Sequence, residues 1–321
     1  MGGSTKDKYN GRYAPLAYKF HGYAKAARNQ LENVRSSGTP HALESAKQAT
    51  ARLLRPKYLC FLKNPKDDRL QGAIPMPLKT WENRNRTEVL SYLFIAYSTE
   101  HFSHSSQDDL EALHHIAERA TRDAKLPAYW VACSCMPDEN EREEDVYRIS
   151  DIMRGAEEMI IAVGASSNSP SSTSTEDLLR QWGRRMWTFP EVLLSQKDTT
   201  KVYTRTGKLD SPLVIPKNQF ADKVWADATV SRQLIDHYAG NLGLSRLELV
   251  VLTLECLESR QTTQYLPGDH SYALMGLLRL RPKIDRTDTA FQAFARQVLN
   301  LSPLWQAVRK GYLIFVSDSP S

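Results

Sequence analysis

No stretch of the 321 residues gathers the roughly 20 consecutive apolar positions that a membrane-spanning helix needs. Cysteine is scarce: Cys60, Cys133, Cys135 and Cys256 are too few and too scattered for a disulfide framework. No charged-then-apolar leader opens the chain, so the expectation is a cytoplasmic protein in a reducing compartment. Glycine loops are missing as well. No G-x-G-x-x-G follows a strand and there is no G-x-x-x-x-G-K-[ST], which removes dinucleotide or phosphate binding by those loops and disfavours a plain dehydrogenase or kinase. Neither H-E-x-x-H nor G-x-S-x-G occurs. The one close cysteine pair, Cys133 and Cys135, lacks structural zinc spacing even with His114-His115 brought beside it, so buried thiols are expected and no metal.

What is present is an ordinary globular composition, 41% hydrophobic and 25% charged, with 42 Lys+Arg against 37 Asp+Glu for a formal charge of +5. The charge is unevenly placed. Residues 1–57 carry eleven Lys/Arg and three acids, a net of +8, which leaves −3 for the rest. The basic excess thus sits in an N-terminal arm outside any nucleic-acid motif, and the mildly acidic body argues against a nucleic-acid face. The expected division is a partly ordered basic arm over 1–57, an α/β core over 58–210, and a helical C-terminal extension over 211–321.

Local patterns support that division. YLCFL from Tyr58 is a short apolar run bounded by prolines and predicts a strand, whereas the two prolines between Gly72 and Pro77 predict a loop. Val89 to Tyr97 is dense in β-branched and aromatic residues and predicts a buried strand. Ser106 with Asp109 three positions later gives a helix-start signal, followed by Leu110, Leu113, Ala117 and Ala120 at helical spacing. AYWVACSC predicts a second strand on which Cys133 and Cys135 point the same way. The acids of DENEREED suit the first turn of a helix that buries Val146, Ile149, Met153 and Ala156, and Met159 to Val163 predicts a third strand. Strand, helix, strand, helix, strand with short connections is the pattern of a parallel sheet covered by helices. The Ser-rich run from Ala165 to Thr175 predicts a mobile loop, with one helix over Glu176 to Leu194 and a small strand near Val202-Tyr203. Beyond 210 the helical segments are Leu244 to Leu257, Tyr272 to Leu280 and Phe291 to Leu301, and GYLIFV near the end is strand-like.

Four stretches, taken in order, carry a family resemblance. LSYLFIA (Leu90 to Ala96) resembles the opening L-S-Y-x-W-G motif of the fungal heterokaryon incompatibility (HET) domain. YWVACSCMPD (Tyr129 to Asp138) is similar to its Y-L-W-I-D-x-x-C-I-x-Q strand, RRMWTFPEVLLS (Arg184 to Ser195) to its R-x-W-T-x-Q-E-x-x-L-S signature, and GDHSYALMGLL (Gly268 to Leu278) to its D-x-x-Y-A-L-L-G-L helix. Ser91, Tyr92, Cys135, Trp187 and Glu191 match. Phe94-Ile95 stand where the family has Trp-Gly, Ala132 stands for its Asp, and Pro190 for its Gln.

HET domains are distantly similar to the Toll/interleukin-1 receptor (TIR) domain, and the resemblance implies a TIR-like, flavodoxin-like parallel sheet. In spacing, Trp187 to Val192 resembles the W-C-x-x-E-L stretch that carries the TIR catalytic glutamate. The resemblance therefore implies Glu191 as the catalytic residue of a NAD glycohydrolase, with Trp187, Tyr92, Ser91 and Cys135 shaping the NAD site, NAD as substrate and no required cofactor. It also implies self/non-self recognition and cell-death signalling through homotypic self-association or another signalling protein. Cleaving the nicotinamide–ribose bond passes through an oxocarbenium-like state; nicotinamide leaves as a neutral base, so a single carboxylate suffices. Without the resemblance, Glu191 reads first as a solvated or salt-bridged helix residue near Arg184 or Arg185, Trp187 as a core residue, and Tyr92 and Cys135 as packing residues. Ala132 and the lost Trp-Gly leave a second reading in place, a non-catalytic interaction module.

Overall fold

The structure, a computed structural model, describes residues 55–278 apart from 65–69, 86–89, 137–141, 166–173, 206–208 and 261–268. Residues 1–54 of the arm expected over 1–57, most of the Ser-rich loop, the Phe291 to Leu301 helix and the GYLIFV run lie outside the described residues. Seven strands form one mixed sheet. β1 (Tyr58–Leu62), β2 (Ala73–Pro77), β3 (Tyr92–Ala96), β4 (Ala128–Trp130), β5 (Glu158–Val163), β6 (Thr199–Thr204) and β7 (Leu213–Pro216) lie in the order β2-β1-β4-β3-β5-β6-β7. The central four, β4-β3-β5-β6, are parallel, and β2, β1 and β7 add on antiparallel at the two sides. The architecture is α/β.

Strands β3 and β4 are buried along their whole length because every position is apolar or aromatic. Leu93, Phe94 and Ile95 of β3 and Ile160 to Val163 of β5 are sealed from water, and Phe94 stacks on Trp130 of β4 at 4.9 Å. Helix α1 (Leu78–Arg84) follows β2. Helix α2 (Gln107–Asp123) begins as its sequence dictates, with Ser106 Oγ accepting from Asp109 N at 3.2 Å. It buries Leu113, Ile116, Ala117 and Ala120 while packing across β3 to β6. At about 1.5–3 kcal/mol for each fully buried large aliphatic side chain, this face outweighs the helix's own propensity. Asp109 in its first turn also pairs with Arg205 at the end of β6.

Three sequence expectations are corrected. The Gly72 to Pro77 loop is strand β2, which tolerates Pro75 and Pro77 because an edge strand leaves one side of its ladder unpaired. The second strand stops at Trp130 and the chain turns into α3 (Ala132–Cys135), with Cys135 N and Met136 N donating to Val131 O and Ala132 O. Cys133 and Cys135 therefore share no strand face. After α4 (Arg142–Gly155), the expected helix over Glu176 to Leu194 is two, α5 (Thr175–Gly183) and α6 (Thr188–Leu194). Pro190 is the physical reason. Inside one continuous helix its missing N–H and ring would break the ladder, whereas at the third position of α6 the N–H has no intrahelical partner to lose.

Helices α7 (Lys217–Val224), α8 (Ala228–Tyr238), α9 (Arg246–Glu258) and α10 (Asp269–Leu278) complete the described chain, so the described residues beyond 210 are mainly helical apart from strand β7. Among the described residues no helix is long and apolar enough to cross a membrane.

Candidate functional site at the end of the first parallel strand

The winding of the parallel strands singles out one place. From β3 the chain passes through α2 to β4 on one side; from β4 it passes back through α3 and α4 to β5 on the other side of β3. Connections diverge at the carboxyl ends of β3 and β5, which is where open α/β sheets bind ligands. Residues just past β3 supply an unusual set of polar groups there, and one of them, Tyr97, is influenced by Glu191 of α6.

Helix α6 is fixed before it reaches Glu191. Thr188 Oγ1 donates to Arg185 O at 2.7 Å and to Trp182 O at 3.1 Å, closing the turn that separates α5 from α6. At the far end Lys217 Nζ donates to Leu193 O (3.1 Å) and Ser195 O (2.6 Å), satisfying carbonyls that end the helix; burial lowers this amine to about 8. On the α8 side, Arg260 lies 4.0 Å over the Phe189 ring while gripping Asp227. All seven residues of α6 are buried, and the helix packs against α4, α5, α8 and α10.

Glu191 is thus a carboxyl set into a core. It is 7% exposed, its Oε2 is buried without a hydrogen-bond partner, and burial alone holds it well above the usual carboxyl range. Trp187 precedes it by four residues, at the spacing that places two side chains on one helix face, and is half-buried. The tyrosine that answers Glu191 is Tyr97, one residue past β3. Burial raises its phenol first, then Cys133, and then the charge of Glu191. Tyr97 Oη is hydrogen-bonded to His104 Nε2 at 2.6 Å.

Two further orphans stand in the same loop. Ser98 Oγ and both ring nitrogens of His101 are buried with no hydrogen-bond partner, and His101 is 1% exposed. Burial holds the imidazole below its usual range against the upward pull of Gln181 and Glu100, so it is neutral. Beside it Arg185 pairs with Glu100. A second polar chain links Tyr129 Oη to His114 Nδ1 and His114 Nε2 to Ser134 Oγ, each at 2.8 Å, and pins α2 to β4 and α3.

The remaining residues expected from the sequence lie elsewhere. Ser91 and Tyr92 are at the amino end of β3, opposite the crevice, and Tyr92 Oη donates to Ile152 O of α4. Cys135 is buried with its Sγ 3.9 Å from Cys60 Sγ; burial, then Cys60, pushes its thiol up. No contact among the described residues joins Ser91, Tyr92 or Cys135 to Glu191. Glu191 and Trp187 share one short helix at a spacing of four, and the structure adds Tyr97, a residue whose signal in the sequence is its position directly after the first parallel strand. Among the described residues no group of three or more His, Cys, Asp or Glu is placed to hold a metal. Comparison with protein-family models, curated proteins and solved structures finds no match for the chain.

Proposed function

We propose that the chain is a HET-domain protein of fungal self/non-self recognition and cell-death signalling, with a TIR-like core that cleaves NAD at Glu191. The observation that carries the catalytic part is the buried carboxyl of Glu191, whose Oε2 has no hydrogen-bond partner among the described residues and whose charge reaches Tyr97 just past β3. A structural glutamate usually finds a basic partner; among the described residues no group donates to the Oε2 of this one. The order of the parallel strands, with the second strand outside the first and the third and fourth on its other side, supports the flavodoxin-like reading.

In this scheme the carboxylate of Glu191 faces the ribose as positive charge develops there, in a site where low dielectric makes that attraction strong. Trp187 offers a stacking face, and Tyr97, held by His104, closes the other side. Nicotinamide leaves as a neutral base, so no acid need protonate it. The test is purified full-length protein at high concentration incubated with NAD. Nicotinamide release that Glu191→Ala abolishes is expected; no release, or equal release by the variant, sinks the enzymatic reading.

One observation favours the alternative, a non-catalytic HET interaction module. Ala132 opens α3 next to Cys133, close to Tyr97, so the position where the family carries a carboxylate supplies neither charge nor hydrogen bond. Under that reading a partner complex forms equally well with Glu191→Ala.

A further inference from the structure

A second chemical constellation stands at the carboxyl end of β4, on elements other than α6. Ser134 lies in α3, the tight turn into which the chain runs straight after β4, with Ser134 N and Cys135 N both donating to Val131 O at 3.2 and 2.9 Å. A turn that leaves the carboxyl end of a parallel strand presents its side chains at the end of the sheet where α/β folds bind substrates. Against it, from α2 and 20 residues earlier in the chain, comes His114, with Nε2 2.8 Å from Ser134 Oγ and Nδ1 2.8 Å from Tyr129 Oη. Tyr129 belongs to β4, and its ring lies 5.9 Å from the imidazole at 55°. Hydroxyl, imidazole and a third hydrogen-bonding group in one line is the arrangement that activates a nucleophile, and it is recognised by geometry whatever the chain order. Burial is graded along the line. Tyr129 is 1% exposed and fixed by its strand, whereas His114 and Ser134 are only half-buried. Burial also holds the imidazole below its usual range, so at neutral pH it is the unprotonated base that such chemistry requires.

We infer that Ser134 is the nucleophile and His114 the general base of a second active centre, one that hydrolyses small carboxylic esters, with Tyr129 as the positioning residue that orients the imidazole. The inference is independent of the NAD reading. In the order that attack requires, Ser134 O–H donates to Nε2 and Nδ1–H donates to Tyr129 Oη, so the proton of the neutral ring sits on the nitrogen facing the phenol. Ser134 Oγ attacks the ester carbonyl carbon as its proton moves to Nε2. The C–O bond to the alcohol then breaks while the alcohol takes that proton, which leaves the acyl group on Oγ. Water attacks the acyl carbon and gives a proton to Nε2; the Oγ–C bond breaks, Oγ regains the proton, and the carboxylic acid leaves. Because Ser134 is half-buried, the acyl group it admits is short.

The experiment treats the full chain at neutral pH with an alkyl fluorophosphonate, which phosphonylates an activated serine hydroxyl and spares an ordinary one, and locates the adduct by peptide mass spectrometry. Hydrolysis of p-nitrophenyl acetate is followed in parallel. The expected result is an adduct on Ser134 and p-nitrophenolate release that prior phosphonylation abolishes. Neither measurement needs a variant. His114→Gln, which keeps a hydrogen-bonding side chain but no base, should slow labelling by at least about 100-fold with unchanged circular dichroism. Tyr129→Phe should lower the maximal labelling rate and leave the half-saturating probe concentration unchanged, whereas a loss of shape alone would raise that concentration. No adduct on Ser134, ester hydrolysis that survives phosphonylation, or labelling of His114→Gln at the wild-type rate overturns the inference, and a Tyr129→Phe protein that labels like wild type overturns the role given to the phenol.

Discussion

Replacing Glu191 by glutamine removes a titration and little else. The amide has the same shape, and whatever its burial costs does not vary with pH. The wild-type acid is different. In the unfolded chain it ionises near its ordinary 4.5, whereas in the folded protein burial keeps it protonated well above that value. Over the interval the folded state holds more protons than the unfolded state, so wild-type stability falls as pH rises. The slope is about 1.4 kcal/mol per pH unit while the folded acid stays neutral. While the folded acid stays neutral, each pH unit therefore costs wild type about 1.4 kcal/mol relative to Glu191→Gln, which for a domain of this size widens the Tm gap in favour of the variant by about 3–5 °C per unit. Thermal unfolding of both proteins by circular dichroism across the pH range measures it directly, since every other titrating group cancels in the difference. A gap that stays constant, or that widens in favour of wild type, would mean a carboxylate already ionised and paired, and the reasoning about the site would fail.

Other perturbations probe the frame around α6. Lys217 is a base lowered to about 8, so between that value and its ordinary 10.5 the unfolded state holds the extra proton. Chemical denaturation should show wild type gaining on Lys217→Met as pH rises from about 8 to about 10, and parallel curves would refute a desolvated amine. Gly183→Ala puts a Cβ 2.5 Å from Val224 Cγ1, which costs about 1–3 kcal/mol; adding Val224→Ala should recover part of it, measured by urea midpoints. Asp227→Ala strands the Arg260 guanidinium, whose side chain is 3% exposed, and should cost about 3–5 kcal/mol. In Asp227→Ala/Arg260→Met the loss should be smaller, and an equal or larger loss would contradict the view that the stranded charge dominates.

The elements that were legible in the sequence are those in which local chemistry and tertiary setting agree. Ser106 with Asp109 marks the start of α2 because the cap works by a bond between residues three apart, and the apolar runs at Tyr92 and Met159 mark strands because no other setting buries every side chain. Pro190 is a legible break inside a run that otherwise reads as one helix. The turn at Cys133 was not legible: four small residues after Trp130 suit a strand or a helical turn equally, and backbone bonds to Val131 decide it. The site divides in the same way. Glu191 and Trp187 follow from one stretch of sequence, since spacing of four within a helix fixes a shared face. Tyr92 and Tyr97 differ only in which end of β3 they occupy, and that matters once strand order, set by long-range pairing, determines where the crevice lies.

The central claim is that Glu191 acts on NAD, and the most direct measurement is a proton NMR time course of NAD with wild type and with Glu191→Gln at a pH where both are fully folded. Free nicotinamide accumulating with wild type and absent with the variant is the predicted result. No nicotinamide with either protein, or the same rate with both, would contradict the account.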